Sequence, residues 1–95
     1  MYYDPSSCGK RIRKLRKLSG YTQEALAERL NSSQSHLAKI ESGKEGPSID
    51  LLVEMASVFH TSLDYLAIGM TPERDILKHK IHSMIEFLTA IDKEL

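Results

Sequence analysis

Residues 20 to 43 hold two short apolar runs at helical spacing, separated by the polar residues Asn31-Ser32-Ser33. This segment constrains the fold more tightly than any other, because two amphipathic helices joined by so tight a turn must cross steeply and share one small core. Thr22 is placed to cap the first helix with its hydroxyl, and Ala25, Leu26, Ala27 and Leu30 give that helix an apolar face. Asn31 falls at the turn, and Asn is one of the few residues besides Gly that tolerate a left-handed backbone. Ser32 or Ser33 then caps the second helix.

Winding the second helix from Gln34 at about 100° per residue puts Ile40 near 240° and Leu37 near 300°, so its buried stripe centres near 270°. The opposite arc carries Ser42, Ser35, Ala38 and Lys39, with Gln34 on its shoulder at the exposed N-terminal end. Small, hydrogen-bonding side chains there suit close approach to base pairs in a DNA major groove. Gln pairs bidentately with adenine, Lys reaches guanine, and Ala meets a thymine methyl. His36 points aside, toward a phosphate or solvent. Gln23, at the start of the first helix, can bond a phosphate together with the free N–H groups around it. The same polar arc also fits an ordinary solvated helix face, and this helix alone leaves both readings open.

Gln23, Leu26-Ala27, Ser33-Gln34-Ser35, Leu37, Ile40-Glu41-Ser42-Gly43-Lys44 and Pro47-Ser48-x-x-Leu51-Leu52 together resemble the signature of the phage-repressor and Cro-like (XRE-type) helix-turn-helix family. The resemblance runs from Gly9 to Gly69, taking in Ile12-Arg13-x-Leu15-Arg16 upstream and Ala56-x-x-Phe59-x-x-Ser62-Leu63-x-x-Leu66 downstream. It implies an all-α fold, a lambda-repressor-like DNA-binding bundle of five short helices. It also implies that Gln23 and the start of the third helix hold the DNA, and that Gln34, Ser35 and Lys39 read bases. With the polar arc, the base-reading set becomes Gln34, Ser35, Ala38 and Lys39. The expected contacts to the DNA backbone are Thr22, Gln23, Ser33, Ser42, Lys44, Lys10 and Arg13. Arg16 and Glu41 match positions that pair in this family, which makes them a structural tie rather than a DNA contact. Asn31 stands where the family often has Gly, and Asn can adopt the same backbone.

Charge is informative only once divided. The chain has 13 basic and 13 acidic residues, which would ordinarily argue against a nucleic-acid partner. Residues 1–48, however, carry nine Lys or Arg against five Asp or Glu, and residues 49–95 carry four against eight. Six of the nine fall between Lys10 and Lys17, interleaved with Ile12 and Leu15. That helix has one apolar and one basic face, suited either to neutralising phosphates or to plain solvation.

At 95 residues the chain is expected to be one small domain with a tail: a flexible N-terminus over 1–8, the DNA-binding domain over 9–69 and a dimerisation helix over 70–95. The expected core is Ile12, Leu15, Leu18, Leu26, Leu30, Leu37, Ile40, Leu52, Met55, Ala56, Phe59, Leu63 and Leu66. A lone cysteine, Cys8, fits a reducing cytoplasm and reads as a bystander near the N-terminus. No apolar run approaches the roughly 20 residues of a membrane span, and no signal-peptide core opens the chain. Pro47-Ser48 opens a helix from Ile49 to Phe59, Thr61 opens a short one ending by Ile68-Gly69, and Thr71-Pro72-Glu73 starts another.

In that last helix Leu77, Ile81, Met84, Leu88, Ile91 and Leu95 step by 4, 3, 4, 3 and 4, a heptad seam. A helix of roughly 23 residues is about 34 Å long, more than so small a domain can cover end to end. A second copy is the natural cover, with Ile85 and Phe87 widening the seam. The alternative is a helix lying back on its own bundle. A dimer would space two reading helices about one DNA turn apart on a pseudo-palindromic site.

Enzymatic chemistry is not indicated: there is no Gly-rich phosphate loop, no CxxC pair and no nucleophile with a base. His79, His82 and Glu86 could share one side of the last helix and hold a metal, but polar residues beside a heptad seam are the simpler reading, so neither metal nor cofactor is expected. The function expected is sequence-specific regulation of transcription, most simply repression, in the cytoplasm of bacteria or from their phages and mobile elements. The alternative is an antitoxin-like or adaptor protein whose DNA binding is secondary and whose last helix masks a partner.

Overall fold

The computed structural model of the chain describes residues 3–70 and the backbone of 72–94, with side chains for 80–93. Among the described residues there are six helices and no strand: α1 Pro5–Leu18, α2 Gln23–Arg29, α3 Gln34–Ser42, α4 Ile49–Phe59, α5 Leu63–Ile68 and α6 Pro72–Glu94. The chain is thus all-α, a helical bundle followed by a long C-terminal helix.

Short polar side chains set where the bundle helices begin. Asp4, Thr22, Ser33, Ser48 and Ser62 each accept a backbone N–H from the first turn of α1 to α5. Such a cap is worth about 1 kcal/mol. The expected cap of α5, Thr61, is corrected to Ser62, and the Thr61 hydroxyl is buried without a hydrogen-bond partner. Thr71, the expected cap of α6, lies outside the described residues. Asn31 takes the left-handed backbone at the α2–α3 turn, with φ 55°.

Three expectations about the first helix need correction. Pro5 to Cys8 form the opening turns of α1 rather than a flexible arm, because the Asp4 carboxylate caps Ser6 and Ser7 and Pro5 supplies a preset φ. Cys8 is accordingly fully buried, a member of the core rather than a bystander. Leu18 is 41% exposed, since it sits at the last residue of α1 where the helix runs past its neighbours.

The core comprises Cys8, Ile12, Leu15, Leu26, Ala27, Leu30, Leu37, Ile40, Leu52, Met55, Phe59, Tyr65 and Leu66, with Ala56 and Leu63 half-buried at its margin. Each large member contributes about 1.5–3 kcal/mol by leaving water. Gly9 lets α1 approach α3 closely: a Cβ there would collide with the Ile40 carbonyl and come within 2.8 Å of the Glu41 carbonyl oxygen. Arg11 closes the other side, its guanidinium donating to the Leu66 and Ala67 carbonyls at 3.0 and 2.9 Å and so capping the C-terminal end of α5.

Helix α6 passes the C-terminal end of α4 by one edge. Ser83, Glu86 and Phe87 line a cleft with Ser19, Tyr21, Arg29, Val58 and His60. Wound from His82 at about 100° per residue, His82, Glu86 and Ser83 span roughly 0–100°, whereas Ile81, Met84, Leu88 and Ile91 span roughly 180–260°. Most of the heptad face is therefore turned away from the bundle: Ile81, Met84, Leu88 and Ile91 are 49, 63, 60 and 38% exposed, although Ile81 also lines a cleft with His60, His82 and Ile85. Leu77 and Leu95, the ends of the expected seam, lie outside the described side chains.

Candidate nucleic-acid interface

The geometry of α3 follows from three buried residues. Leu37, Ile40 and Glu41 face the bundle, and about half a turn away Gln34, Ser35, Lys39 and Ser42 are exposed, with Ala38 half-buried among them. No large apolar side chain lies on that outer face. Gly43 ends the helix in a left-handed conformation, φ 82°, and folds the Lys44 N–H back onto the Lys39 carbonyl at 3.0 Å, which leaves the Lys44 side chain exposed beside the helix end.

The hydroxyls around α2 and α3 differ in what they can offer. Thr22 Oγ1 and Ser33 Oγ accept backbone N–H groups at 3.0 and 3.1 Å as caps, so each keeps its own proton to donate to an acceptor such as a phosphate oxygen. Ser42 instead donates its proton to the Lys39 carbonyl at 3.0 Å, and a phosphate contact requires that hydroxyl to rotate. The first-turn N–H groups of α3 add the positive end of a helix dipole beside Ser33.

Behind this face lies a buried charge network. Arg16 donates to Glu41 through Nε at 2.7 Å and Nη2 at 3.1 Å, and through Nη1 to the Tyr21 carbonyl at 2.9 Å. Gln23 Nε2 donates to Glu41 Oε1 at 3.1 Å. The carboxylate thus ties α1, the start of α2 and the end of α3 into one unit, and part of the Gln23 amide serves this tie as well as any phosphate.

The basic helix divides in two. Arg11 and Arg16 are held internally, whereas Lys10, Arg13, Lys14 and Lys17 are exposed, on an arc that begins beside the Gly9 edge packed on α3. Sequence reasoning sets Arg16 apart through the family resemblance but leaves Arg11 on the basic face, because a guanidinium that bonds a carbonyl from a distant helix cannot be told from a solvated one by spacing. It also missed Glu45, whose carboxylate lies 3.2 Å from His36 Nδ1 and turns that imidazole toward the α3–α4 loop. Tyr21 went unnoticed too. Its hydroxyl takes a 2.6 Å bond from Arg29, and the guanidinium lies 5.9 Å from the ring centroid. Burial pushes the Cys8 thiol above its ordinary range, while the Ser7 hydroxyl bond holds the Asp4 carboxyl below its own.

Comparison with known proteins identifies the family. A helix-turn-helix family model matches residues 12–66. The chain is 33% identical over 90 residues to the HTH-type transcriptional regulator ImmR of Bacillus subtilis, covering 90% of this chain and 71% of the relative. It is 48% identical over 59 residues to the uncharacterized HTH-type transcriptional regulator YazB of the same organism, covering 62 and 86%. It is 35% identical over 83 residues to the competence pilus inhibition repressor of Acinetobacter baylyi, covering 84 and 76%.

Proposed function

We propose that this chain, which belongs to the XRE-type helix-turn-helix family, is a repressor that binds a pseudo-palindromic operator as a homodimer. Membership of the family makes it a non-enzymatic, DNA-binding regulator of transcription whose partner is double-stranded DNA. The observation that carries the finer reading is the outer face of α3, where small and hydrogen-bonding side chains stand exposed on a helix whose opposite side is locked to the bundle. On this reading Gln34, Ser35, Ala38 and Lys39 contact base edges, and Thr22, Gln23, Ser33, Ser42, Lys44, Lys10 and Arg13 hold phosphates.

The relative named as a repressor supports repression, for which occlusion of a promoter is the simplest mode of action. The dimer rests on α6, whose apolar face points away from its own bundle and needs a cover. No helix of the described residues is long and apolar enough to cross a membrane. The proposed site of action is the bacterial cytoplasm, where the DNA is.

Selection of bound sites from randomised DNA with the full-length protein tests this. A palindromic motif is the expected result, its half-sites about one helical turn apart. A single half-site motif would remove the dimer, and enrichment of no motif would favour the adaptor reading, in which the exposed α6 face takes a different protein.

A further inference from the structure

We propose that His60, His82 and Glu86 form a divalent transition-metal site, zinc being the natural occupant, that clasps α6 to the C-terminal end of α4. One ligand atom from each of the three residues lies within 4.8 Å of the others. His60 Nε2 is 3.5 Å and His82 Nε2 is 3.3 Å from the same carboxylate oxygen, Oε1 of Glu86. Those separations are long for hydrogen bonds, which prefer about 2.7–3.2 Å. They match the edge of a tetrahedron around zinc instead, because bonds of about 2.0–2.1 Å place neighbouring ligand atoms about 3.3–3.4 Å apart.

Donor chemistry leads to the same conclusion. The two imidazole rings lie with centroids 3.5 Å apart, and splaying them slightly brings both Nε2 atoms to face one ion. As neutral groups each can offer an Nε2 lone pair, and the carboxylate is an acceptor as well, so one cation satisfies all three. Two imidazoles and a carboxylate are also a donor set that suits zinc, with water able to take a fourth position on the side where Glu86 is 65% exposed. Arg29, which lines the adjacent cleft, is drawn aside by its bond to the Tyr21 hydroxyl and does not take the place of the ion.

The backbone at His60 adds a reason. Helices α3 and α5 end on Gly43 and Gly69 in left-handed conformations, where glycine is unstrained, but α4 ends on His60 at φ 54°. A side chain at this strained position brings the imidazole to α6. Sequence spacing had grouped His79 with His82 and Glu86 on one helix; the His79 side chain lies outside the described residues, and the third ligand here comes from α4. A bound ion would hold α6, and with it the direction of its apolar seam, against the bundle. The site itself does not depend on the dimer reading.

The test uses tag-free full-length protein stripped with a chelator and titrated with zinc by calorimetry. Cobalt(II) serves as a spectroscopic probe of tetrahedral geometry. One ion per chain is expected, with affinity reduced by roughly tenfold or more in His60→Gly, His82→Ala and Glu86→Ala. His60→Gly suits the left-handed backbone, so its loss of binding is not a loss of fold, and matching circular dichroism of the metal-free proteins verifies this. His36→Ala and His79→Ala should bind as the parent does. Absence of stoichiometric binding overturns the proposal, and so does binding that survives His60→Gly or is lost in His79→Ala, since either would place the ion elsewhere.

Discussion

Arg16 and Glu41 meet as a two-pronged ion pair across 25 residues of chain, Nε to Oε2 at 2.7 Å and Nη2 to Oε1 at 3.1 Å, with side chains 9 and 3% exposed. At that depth the pair orients α3 against α1 more than it stabilises the whole, because desolvation offsets most of the attraction. Removing one partner strands a buried charge. Arg16→Met or Glu41→Leu alone should lower unfolding free energy by about 3–5 kcal/mol, and the double variant should recover most of it. Urea denaturation of the three variants checks this; equal losses in the single and double variants would show that the charges, rather than the pairing, carry the effect.

The reading face should separate specific from random binding. Gln34→Ala and Lys39→Ala are each expected to weaken binding to the selected site by about 1–3 kcal/mol per lost base contact while leaving random DNA binding unchanged. Titration of each variant against both DNAs reads the difference, and equal losses on both would move the residue to the backbone set.

The two classes of basic residue on α1 should behave differently. Lys10→Ala or Arg13→Ala should reduce the slope of log affinity against log salt by about 1 and leave stability nearly unchanged. Arg11→Ala should do the reverse, since its guanidinium holds the Leu66 and Ala67 carbonyls. Salt titrations with a thermal melt on each variant distinguish them; a salt slope altered by Arg11→Ala and not by Arg13→Ala would contradict the division.

Cys8 supplies a pH prediction. Burial raises its thiol above the ordinary 9.0, with Arg11 acting weakly the other way. A raised value in the folded state means that the contribution to stability is complete below the unfolded-state value and is lost as pH rises through the folded one. The urea midpoint should therefore fall on going from neutral to alkaline pH by more in the parent than in Cys8→Ala. Native protein should also react with iodoacetamide far more slowly than denatured protein. Equal rates in the two states would mean that the thiol is accessible.

How far the sequence discloses this molecule depends on the range of the interaction. Helix starts at Thr22, Ser33 and Ser48 are legible because a cap acts over three residues, and the faces of α3 are legible because one helix fixes them. Cys8 and Leu18 were misplaced because burial at the two ends of α1 depends on what α3 and α5 place beside them. The same limit explains Arg11, whose partners are 55 and 56 residues away. His60 was passed over entirely: nothing local marks a residue whose neighbours His82 and Glu86 arrive only when α6 comes back past α4.

The exposed seam of α6 makes the most demanding prediction about assembly. Met84, Leu88 and Ile91 lie on the side opposite the edge that carries His82 and Ser83, while Ile81 borders the cleft beside His60, so the bundle cannot cover the seam without rolling α6 by about half a turn. If a second copy covers them, Leu88→Lys should convert the protein to a monomer, since a lysine in an apolar seam loses both the packing and its hydration. The core residues among those described all precede α6, so ending the chain at Gly69 should leave a folded bundle, also monomeric. Light scattering reports the mass and circular dichroism the fold. Both monomers should keep the non-specific, salt-sensitive affinity of α1 and α3 while losing most binding to a palindromic site, because two linked half-sites gain from effective concentration what one cannot. A dimer that survives Leu88→Lys would place the contact elsewhere. A monomeric parent that binds its site unchanged would mean that the apolar face of α6 serves a different partner.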